Sequence, residues 1–248
     1  MAIKKRLDIL LVEKNFFMTR SRARDAIMRK TVKVDGEIIF KAGQIISDDA
    51  EIIVCDPAQN YVSRAALKLI SALDAFPIVT DNVTAIDIGA STGGFTQVLL
   101  ERGAAHVIAV DVGHHQLDVR LSKNSAITFL EGLNVRDFKQ EHLGGRKIDL
   151  IVSDVSFISL KLALPPVLSL AEKGAQAVLL VKPQFEVGRN HLGKGGILKD
   201  SSMAKETAER LFDWLNLQRG WSAKDMILSP IAGGDGNLEY LLFGEKQE

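Results

Sequence analysis

The chain has 248 residues, enough for one small and one medium domain, since domains usually run to roughly 100–200 residues. Its composition, with 46% hydrophobic and 25% charged residues, is that of an ordinary soluble protein with ample material for a core. A single cysteine, Cys55, excludes an intrachain disulfide and a cysteine-rich zinc site, and no apolar run is long enough to cross a bilayer as a helix. We therefore expect a cytoplasmic protein without stable membrane association.

The first 41 residues carry a marked excess of lysine and arginine, although the net charge of the whole chain is zero. Apolar residues at helical spacing predict two short helices, near residues 7–11 and 23–27. The dipeptide Asp35-Gly36, placed between alternating apolar residues, is a strong signal for a β-hairpin. The N-terminal segment is therefore predicted to be a helix pair that leads into a small sheet ending near Val54.

The basic residues of this segment could form a surface that neutralises several phosphates of a nucleic acid. A solvated helical face is the alternative interpretation. Because few aromatic residues interleave the basic ones, recognition of shape and backbone is expected rather than base stacking. The candidate RNA-binding residues are Arg6, Arg20, Arg22, Arg24, Arg29, Lys33 and Lys41.

Three stretches of the segment, at residues 6–8, 21–27 and 32–36, resemble the small RNA-binding domain shared by a ribosomal small-subunit protein, pseudouridine synthases and tyrosyl-tRNA synthetases. The resemblance implies RNA as the partner. Polar residues around Pro57 then indicate a linker. We expect an RNA-binding domain at residues 1–58, a linker at 59–62 and a second domain at 63–248.

Strand and helix patterns alternate through the second domain, which predicts an α/β fold with a doubly wound, mostly parallel, Rossmann-like sheet of seven strands. The predicted strands lie at 84–88, 106–111, 127–130, 148–153, 177–182, 225–229 and 238–243. The main predicted helices lie at 64–76, 95–102, 158–171 and 202–217.

A glycine-rich turn follows the first strand of this domain, where a bound ligand could approach the backbone closely. The turn is a poor match to a dinucleotide site, because Ser91 stands where the second glycine of that motif belongs. Asp111, at the end of the next strand, is placed to bind both hydroxyls of a ribose. A nucleoside cofactor without a pyrophosphate, such as S-adenosylmethionine, explains both observations. The candidate cofactor residues are Asp87, Gly89, Ala90, Ser91, Thr92, Gly93, Gly94, Phe95, Asp111 and Asn134.

For two of these residues, Asp87 and Asn134, a role in organising their own turns is an open alternative to contact with the cofactor. The pair His114 and His115 could suggest a metal, but no other histidine or cysteine has ligand spacing to it, and a surface pair is favoured. We therefore expect no metal site.

Three charged residues flank the predicted strands at positions that should meet. Asp154 and Lys182 each close a strand, and Glu239 opens the last one, which we expect to be antiparallel. Ligands bind at the carboxyl edge of such sheets, so these charges predict a catalytic cluster, with Lys68 contributed by a helix. Taken singly, each charge is more readily interpreted as an ion pair or a surface charge.

The set Lys68, Asp154, Lys182 and Glu239 resembles the Lys-Asp-Lys-Glu tetrad of the FtsJ-like ribose 2′-O-methyltransferases. With the N-terminal module included, the chain is similar almost end to end to the haemolysin-A (TlyA-type) ribosomal RNA methyltransferases. The most specific matching stretches lie at 61–64, 87–95, 153–159 and 181–186. One departure is Arg64-Ala65-Ala66, where that family usually has Gly-Gly or Gly-Ala.

The resemblance implies methylation of a cytidine ribose in ribosomal RNA on its 2′ oxygen, in the large subunit or in both subunits, with S-adenosylmethionine as methyl donor. It makes Lys182 the residue that accepts or labilises the proton, with Asp154 orienting it and Lys68 and Glu239 completing the network. The alternatives are an RNA-binding ribosome assembly factor without turnover and a haemolysin acting on membranes. The segment 187–196 is either a lid over RNA or a long surface loop.

Overall fold

The structure, a computed structural model, describes residues 3–248. The chain divides into two compact units, Met1–Asn60 and Tyr61–Glu248, which we call the N-terminal and the C-terminal unit. In the part of the chain that the structure describes, no helix combines the length and the apolar character needed to cross a membrane.

The N-terminal unit contains a helix pair and two small antiparallel sheets. Its elements are β1 (Lys4–Arg6), α1 (Leu7–Glu13), α2 (Arg20–Met28), β2 (Val32–Val34), β3 (Glu37–Ile38), β4 (Ile45–Ser47) and β5 (Ile52–Val54). β1 pairs with β4, and β2 lies between β3 and β5. Thr19 Oγ1 accepts a hydrogen bond from the backbone N–H of Arg22 and so caps α2. Asp35 and Gly36 both have positive φ, as a two-residue hairpin turn requires, and the predicted hairpin and helix pair are confirmed.

Residues 56–59 are bonded to Arg22 of α2 and to Arg29, the residue that follows this helix. The guanidinium of Arg29 lies 2.7 Å from a carboxylate oxygen of the buried Asp56. Arg22 donates hydrogen bonds to the carbonyls of Ala58 and Gln59, each at 3.1 Å. The stretch that the sequence marks as polar and linker-like is therefore bonded to α2.

The C-terminal unit is built on the predicted seven-stranded, mostly parallel sheet, which is confirmed. Its strands are β6 (Thr84–Ile88), β7 (His106–Asp111), β8 (Ile127–Glu131), β9 (Leu150–Ser153), β10 (Gln176–Val181), β11 (Trp221–Leu228) and β12 (Tyr240–Lys246). Their order in the sheet is β11-β12-β10-β9-β6-β7-β8. β12 is antiparallel to both neighbours, and the other pairs are parallel.

Helices cover both faces of this sheet, as a parallel sheet requires. They are α3 (Ala66–Ala75), α4 (Gly94–Glu101), α5 (Val119–Ser122), α6 (Leu160–Ala163), α7 (Pro165–Leu170) and α8 (Ser202–Asn216). In β10, the side chain of Val178 lies in a hydrophobic core shared with α3 and α4. The next residue, Leu179, lies in a second core shared with α6, α7 and α8. Alternate residues of one buried strand thus fill two separate cores.

Two predicted elements differ from the structure. The single helix expected at 158–171 is divided into α6 and α7, because Pro165 and Pro166 lack backbone N–H groups and begin a new helix. β11 begins at Trp221 rather than at residue 225, since its pairing with β12 continues through a bulge at Ala223 and Asp225.

The topology gathers several strand ends at one edge of the sheet. β6, β7, β9 and β10 all end there, and the antiparallel β12 begins there. Val181 at the end of β10 pairs with Tyr240 at the start of β12, so Lys182 and Glu239 are flanking residues of neighbouring strands.

Candidate active site

Two buried ion pairs lie at this carboxyl edge. Lys182 Nζ is 2.6 Å from Asp154 Oδ1, and Lys68 Nζ is 2.6 Å from Glu239 Oε2. The four side chains are between 2% and 16% exposed. Charged side chains are rarely buried, because removal from water is costly even when they are paired. The four charges predicted from the sequence thus form two ion pairs at the carboxyl edge of the sheet, where Asp154, Lys182 and Glu239 flank strands and Lys68 comes from α3.

Lys182 is held by oxygen atoms from one loop. Its Nζ donates to Ser156 Oγ at 2.7 Å and reaches the backbone carbonyl of Asp154 at 3.5 Å, in addition to the carboxylate of Asp154. Ser156 was not among the predicted site residues, although it lies within one of the stretches that carry the family resemblance. The loop after β9 therefore fixes the position of the lysine ammonium group.

The glycine turn after β6 is shaped by close backbone contacts. Gly89 has φ of +81°, and a Cβ atom there would lie 3.0 Å from the backbone oxygen of Asp154. Asp111 organises the same region, since its two carboxylate oxygens accept hydrogen bonds from the backbone N–H groups of Ser91 and Gly113, both at 2.7 Å. Each of these oxygens keeps a further lone pair that can accept a second hydrogen bond.

Asp87 is fully buried under this turn, where it accepts a hydrogen bond from Thr96 Oγ1 at 2.7 Å. Burial raises its pKa to about 7, and the nearby charges of Asp154 and Asp111 add to the effect while the bond from Thr96 opposes it. Its other carboxylate oxygen has no hydrogen-bond partner among the described residues. These contacts favour the organising role that the sequence left open for Asp87.

A cavity of about 500 Å³ opens beside the turn, a volume typical of small-molecule sites. Its lining includes Gly89, Ser91, Asp111, Asn134 and Asp154. A smaller cavity of about 160 Å³ shares three of these residues and extends to Lys182. The smaller lining also contains the remaining candidate cofactor residues Ala90, Thr92, Gly94 and Phe95, whereas Asp87 and Gly93 line neither cavity.

Residues 61–246 match the model of the FtsJ-like methyltransferase family, and residues 5–52 match that of the S4 domain. The chain belongs to the FtsJ-like methyltransferase family. The resemblance to this family and to haemolysin-A-type proteins is confirmed.

Three known proteins show how far the similarity extends. The 16S/23S rRNA (cytidine-2′-O)-methyltransferase TlyA of Mycobacterium tuberculosis (strain CDC 1551 / Oshkosh) is 40% identical over 98% of this chain and 90% of its own length. Hemolysin A of Brachyspira hyodysenteriae is 36% identical, with 95% of this chain and 98% of the relative covered. A solved structure from Streptococcus thermophilus, provisionally called a hemolysin, is 38% identical to this chain, with a TM-score of 0.76. The match covers 100% of this chain and 90% of the chain in that structure.

Phe157 is a feature of the methyltransferase unit that was not predicted from the sequence. Its side chain is 91% exposed, its φ is +64°, and it borders the larger cavity. Positive φ is unusual for a large residue and marks a backbone that its surroundings hold in place. The ring centroid of Phe157 lies 5.1 Å from that of Phe185, three residues after Lys182. Phe157 therefore presents an exposed aromatic ring at the border of the larger cavity.

The candidate RNA-binding residues of the N-terminal unit, called the S4 unit from here on, fall into two groups. Arg6 and Arg20 bond to Asp8, while Arg22 and Arg29 hold residues 56–59. The other three are exposed and make no ion pair with any residue that the structure describes; they are Arg24, Lys33 and Lys41. RNA binding by all seven residues stays a prediction, and four of them also have a structural contact.

Asp8 gives the S4 unit a predictable response to acid. Its side chain is buried, and hydrogen bonds from Arg6 and then from Arg20 hold its pKa at about 2. A carboxyl group whose pKa is lowered on folding stabilises the folded state above its unfolded pKa of about 4 and loses that contribution as the pH falls to 2. We expect Asp8→Asn to lower the free energy of unfolding of this unit by about 1–2 kcal/mol at neutral pH, allowing for screening of the exposed guanidinium groups.

Urea unfolding of wild type and Asp8→Asn at several pH values between 6 and 3 measures this contribution. The difference between the two proteins should shrink as the pH falls below 4. A difference that stays constant over this range would show that the carboxylate charge is not the source of the stability.

Proposed function

We propose that the protein transfers a methyl group from S-adenosylmethionine to the 2′ oxygen of a cytidine ribose in ribosomal RNA. The observation that carries the proposal is the Lys182–Asp154 ion pair beside a cavity large enough for a nucleoside: Asp154 lines that cavity, and both residues line the smaller cavity that shares part of its lining. The relatives from M. tuberculosis and from Campylobacter jejuni, the latter 37% identical and named a 23S rRNA (cytidine-2′-O)-methyltransferase, support the substrate and the position of the methyl group.

The lining of the larger cavity fits S-adenosylmethionine. Asp111 offers carboxylate oxygens to ribose hydroxyls, and Asn134 lies on the same lining for the adenine end. Gly89 and Ser91 bring the backbone of the turn to the shared part of the two cavities, where the methionine portion would lie. When bound, this cofactor supplies a methyl group activated by a sulfonium.

The residues around Lys182 would prepare the ribose hydroxyl. Lys182 Nζ, fixed by Asp154 and Ser156, would place a positive charge beside the 2′ oxygen, which develops negative charge as it releases its proton to water and takes up the methyl group. Alignment of the ribose hydroxyl with the methyl donor can itself contribute on the order of 7 kcal/mol to catalysis. Lys68 and Glu239 keep the adjacent strand end in place through their own ion pair.

Phe157 offers a flat surface on which an unpaired base could stack.

The S4 unit would bring the RNA to this site. Arg24, Lys33 and Lys41 present exposed cationic groups, and Arg6 and Arg20 are held close together by their shared contact with Asp8. These groups suit a phosphate backbone, whose contacts position a nucleic acid without reading its sequence.

Methyl transfer from radiolabelled S-adenosylmethionine to purified ribosomal subunits tests the proposal. We expect label in ribosomal RNA at a cytidine. We also expect the phosphodiester bond on the 3′ side of that cytidine to resist alkaline hydrolysis, because a methylated 2′ oxygen cannot attack the neighbouring phosphate. Label on a base would contradict the proposed position. Absence of label from both subunits and from free RNA, with cofactor binding established by calorimetry, would favour an assembly factor that binds RNA without turnover.

A further inference from the structure

Asn237 lies two residues before Glu239, in the turn that joins β11 to β12. Its side chain is 3% exposed, and both of its polar groups are bonded to the same distant segment. Oδ1 accepts a hydrogen bond from the backbone N–H of Leu198, and Nδ2 donates one to the carbonyl of Gly196, each at 3.0 Å. Only a side chain with one acceptor and one donor can make this pair of contacts.

The segment that Asn237 binds is a basic loop, residues 188–199, that contains no acidic residue. The loop is closed on itself by backbone hydrogen bonds from Gly193 to Ile197 at 2.7 Å and from Lys199 to His191 at 3.0 Å. Its exposed cationic side chains are those of Arg189, Lys194 and Lys199. The loop overlaps the segment 187–196, for which the sequence left a lid and a surface loop as alternatives. In the structure it is a closed loop attached at one point to the strand end that carries Glu239.

Backbone hydrogen bonds also hold the turn that contains Asn237 close to Glu239. The backbone carbonyl of Asn237 accepts a hydrogen bond from Gly233 at 2.9 Å, and the carbonyl of Glu239 accepts one from Ser229 at 2.9 Å. A Cβ atom on Gly233 would lie 2.6 Å from Glu239 Oε1, so the backbone of the turn is in contact with the carboxylate that holds Lys68. A displacement of Asn237 would therefore be transmitted to Glu239.

We infer that Asn237 is a positioning residue that couples the basic loop to the Lys68–Glu239 pair. RNA bound by the loop would hold Asn237, and through it the turn and Glu239, in the geometry needed for methyl transfer. The inference rests on the proposed function, since the ligand of the loop is the substrate RNA. Loss of the Asn237 side chain leaves the N–H of Leu198 and the carbonyl of Gly196 without their partner, and unsatisfied groups of this kind favour local opening.

Trypsin cleavage after Arg189 and Lys194 measures the attachment of the loop without any requirement for activity. In Asn237→Ala we expect cleavage at these sites to be about tenfold faster than in wild type. The matched control is Asn216→Ala, which removes an asparagine that accepts a hydrogen bond from Ala223 at 2.8 Å, away from the loop. The control should be cleaved at nearly the wild-type rate. Equal cleavage of wild type and Asn237→Ala would overturn the inference whether or not the protein methylates RNA.

The coupling itself is tested with a double-mutant cycle. Lys194→Ala should weaken RNA binding, measured by filter binding, whereas Asn237→Ala should both weaken RNA binding and lower kcat by about tenfold. If Asn237 acts through the loop, the double variant should bind RNA no more weakly than Asn237→Ala alone. Additive losses of affinity, or a kcat of Asn237→Ala equal to that of wild type, would exclude the coupling. A wild-type protein without methyl transfer would contradict the proposed function instead, while the cleavage and binding results would still decide the attachment of the loop.

Discussion

Lys182→Ala is expected to lower the rate of methyl transfer by about 100- to 1000-fold, the range found when one fixed group that stabilises developing charge is removed. Lys182 is held by both Asp154 and Ser156, so its ammonium group has little freedom to adapt, and water cannot reproduce its position. The affinity for S-adenosylmethionine should be retained, because the larger cavity is lined by other residues. Single-turnover transfer of label from saturating cofactor to ribosomal subunits measures the rate of the chemical step.

Two further variants separate charge from geometry. Lys182→Arg keeps the positive charge but replaces a compact ammonium group with a wider planar one, and it should recover only a small part of the lost rate. Lys161→Ala removes an exposed lysine of the neighbouring helix α6 and should leave the rate nearly unchanged. A Lys182→Ala protein that reacts within about tenfold of the wild-type rate would exclude Lys182 from the chemical step.

The location of the site could be predicted from the sequence because it depends on topology. Alternation of strands and helices indicated a parallel sheet, and the carboxyl ends of parallel strands meet at one edge. Asp154 and Lys182 close two such strands, so their proximity follows from the strand order alone. To place Glu239 at the same edge, we had to assume in addition that the last strand is reversed. The antiparallel register of β10 and β12 confirms this assumption.

The partners of individual side chains could not be predicted in this way. Asp8 looks like an ordinary acidic residue at the start of a helix, and its two arginine partners lie on opposite sides of it in the chain. Asn237 binds residues 39 and 41 positions away, a contact that no periodicity records. Such contacts depend on loop paths, which composition and hydrophobic patterns leave undetermined. For the same reason, the arginines of α2 could be placed on a helical face but not assigned to RNA or to the carbonyls of Ala58 and Gln59.

The Lys68–Glu239 pair should destabilise the protein strongly when only one partner is removed. The two side chains are 7% and 2% exposed, so the remaining charge would be left in a site with little access to water. We expect Lys68→Met and Glu239→Gln, each alone, to lower the free energy of unfolding by about 3–5 kcal/mol. The double variant has no buried charge to compensate, and it should recover most of that loss. Urea unfolding of the four proteins, followed by circular dichroism, provides the values.

An exposed pair in the same unit supplies the matched control. Lys205 and Glu209 lie 3.8 Å apart on the surface of α8, with 75% and 57% of their side chains exposed, and the same substitutions there should change stability by less than about 0.5 kcal/mol. If the losses at Lys68 and Glu239 add in the double variant, the two charges contribute independently and the ion pair is not the reason for their burial. Recovery of stability in a double variant that no longer transfers methyl groups would mean that the fold does not require these charges. Their presence at the edge of the sheet would then be explained by the reaction, since an uncharged pair of similar volume would serve the fold equally well.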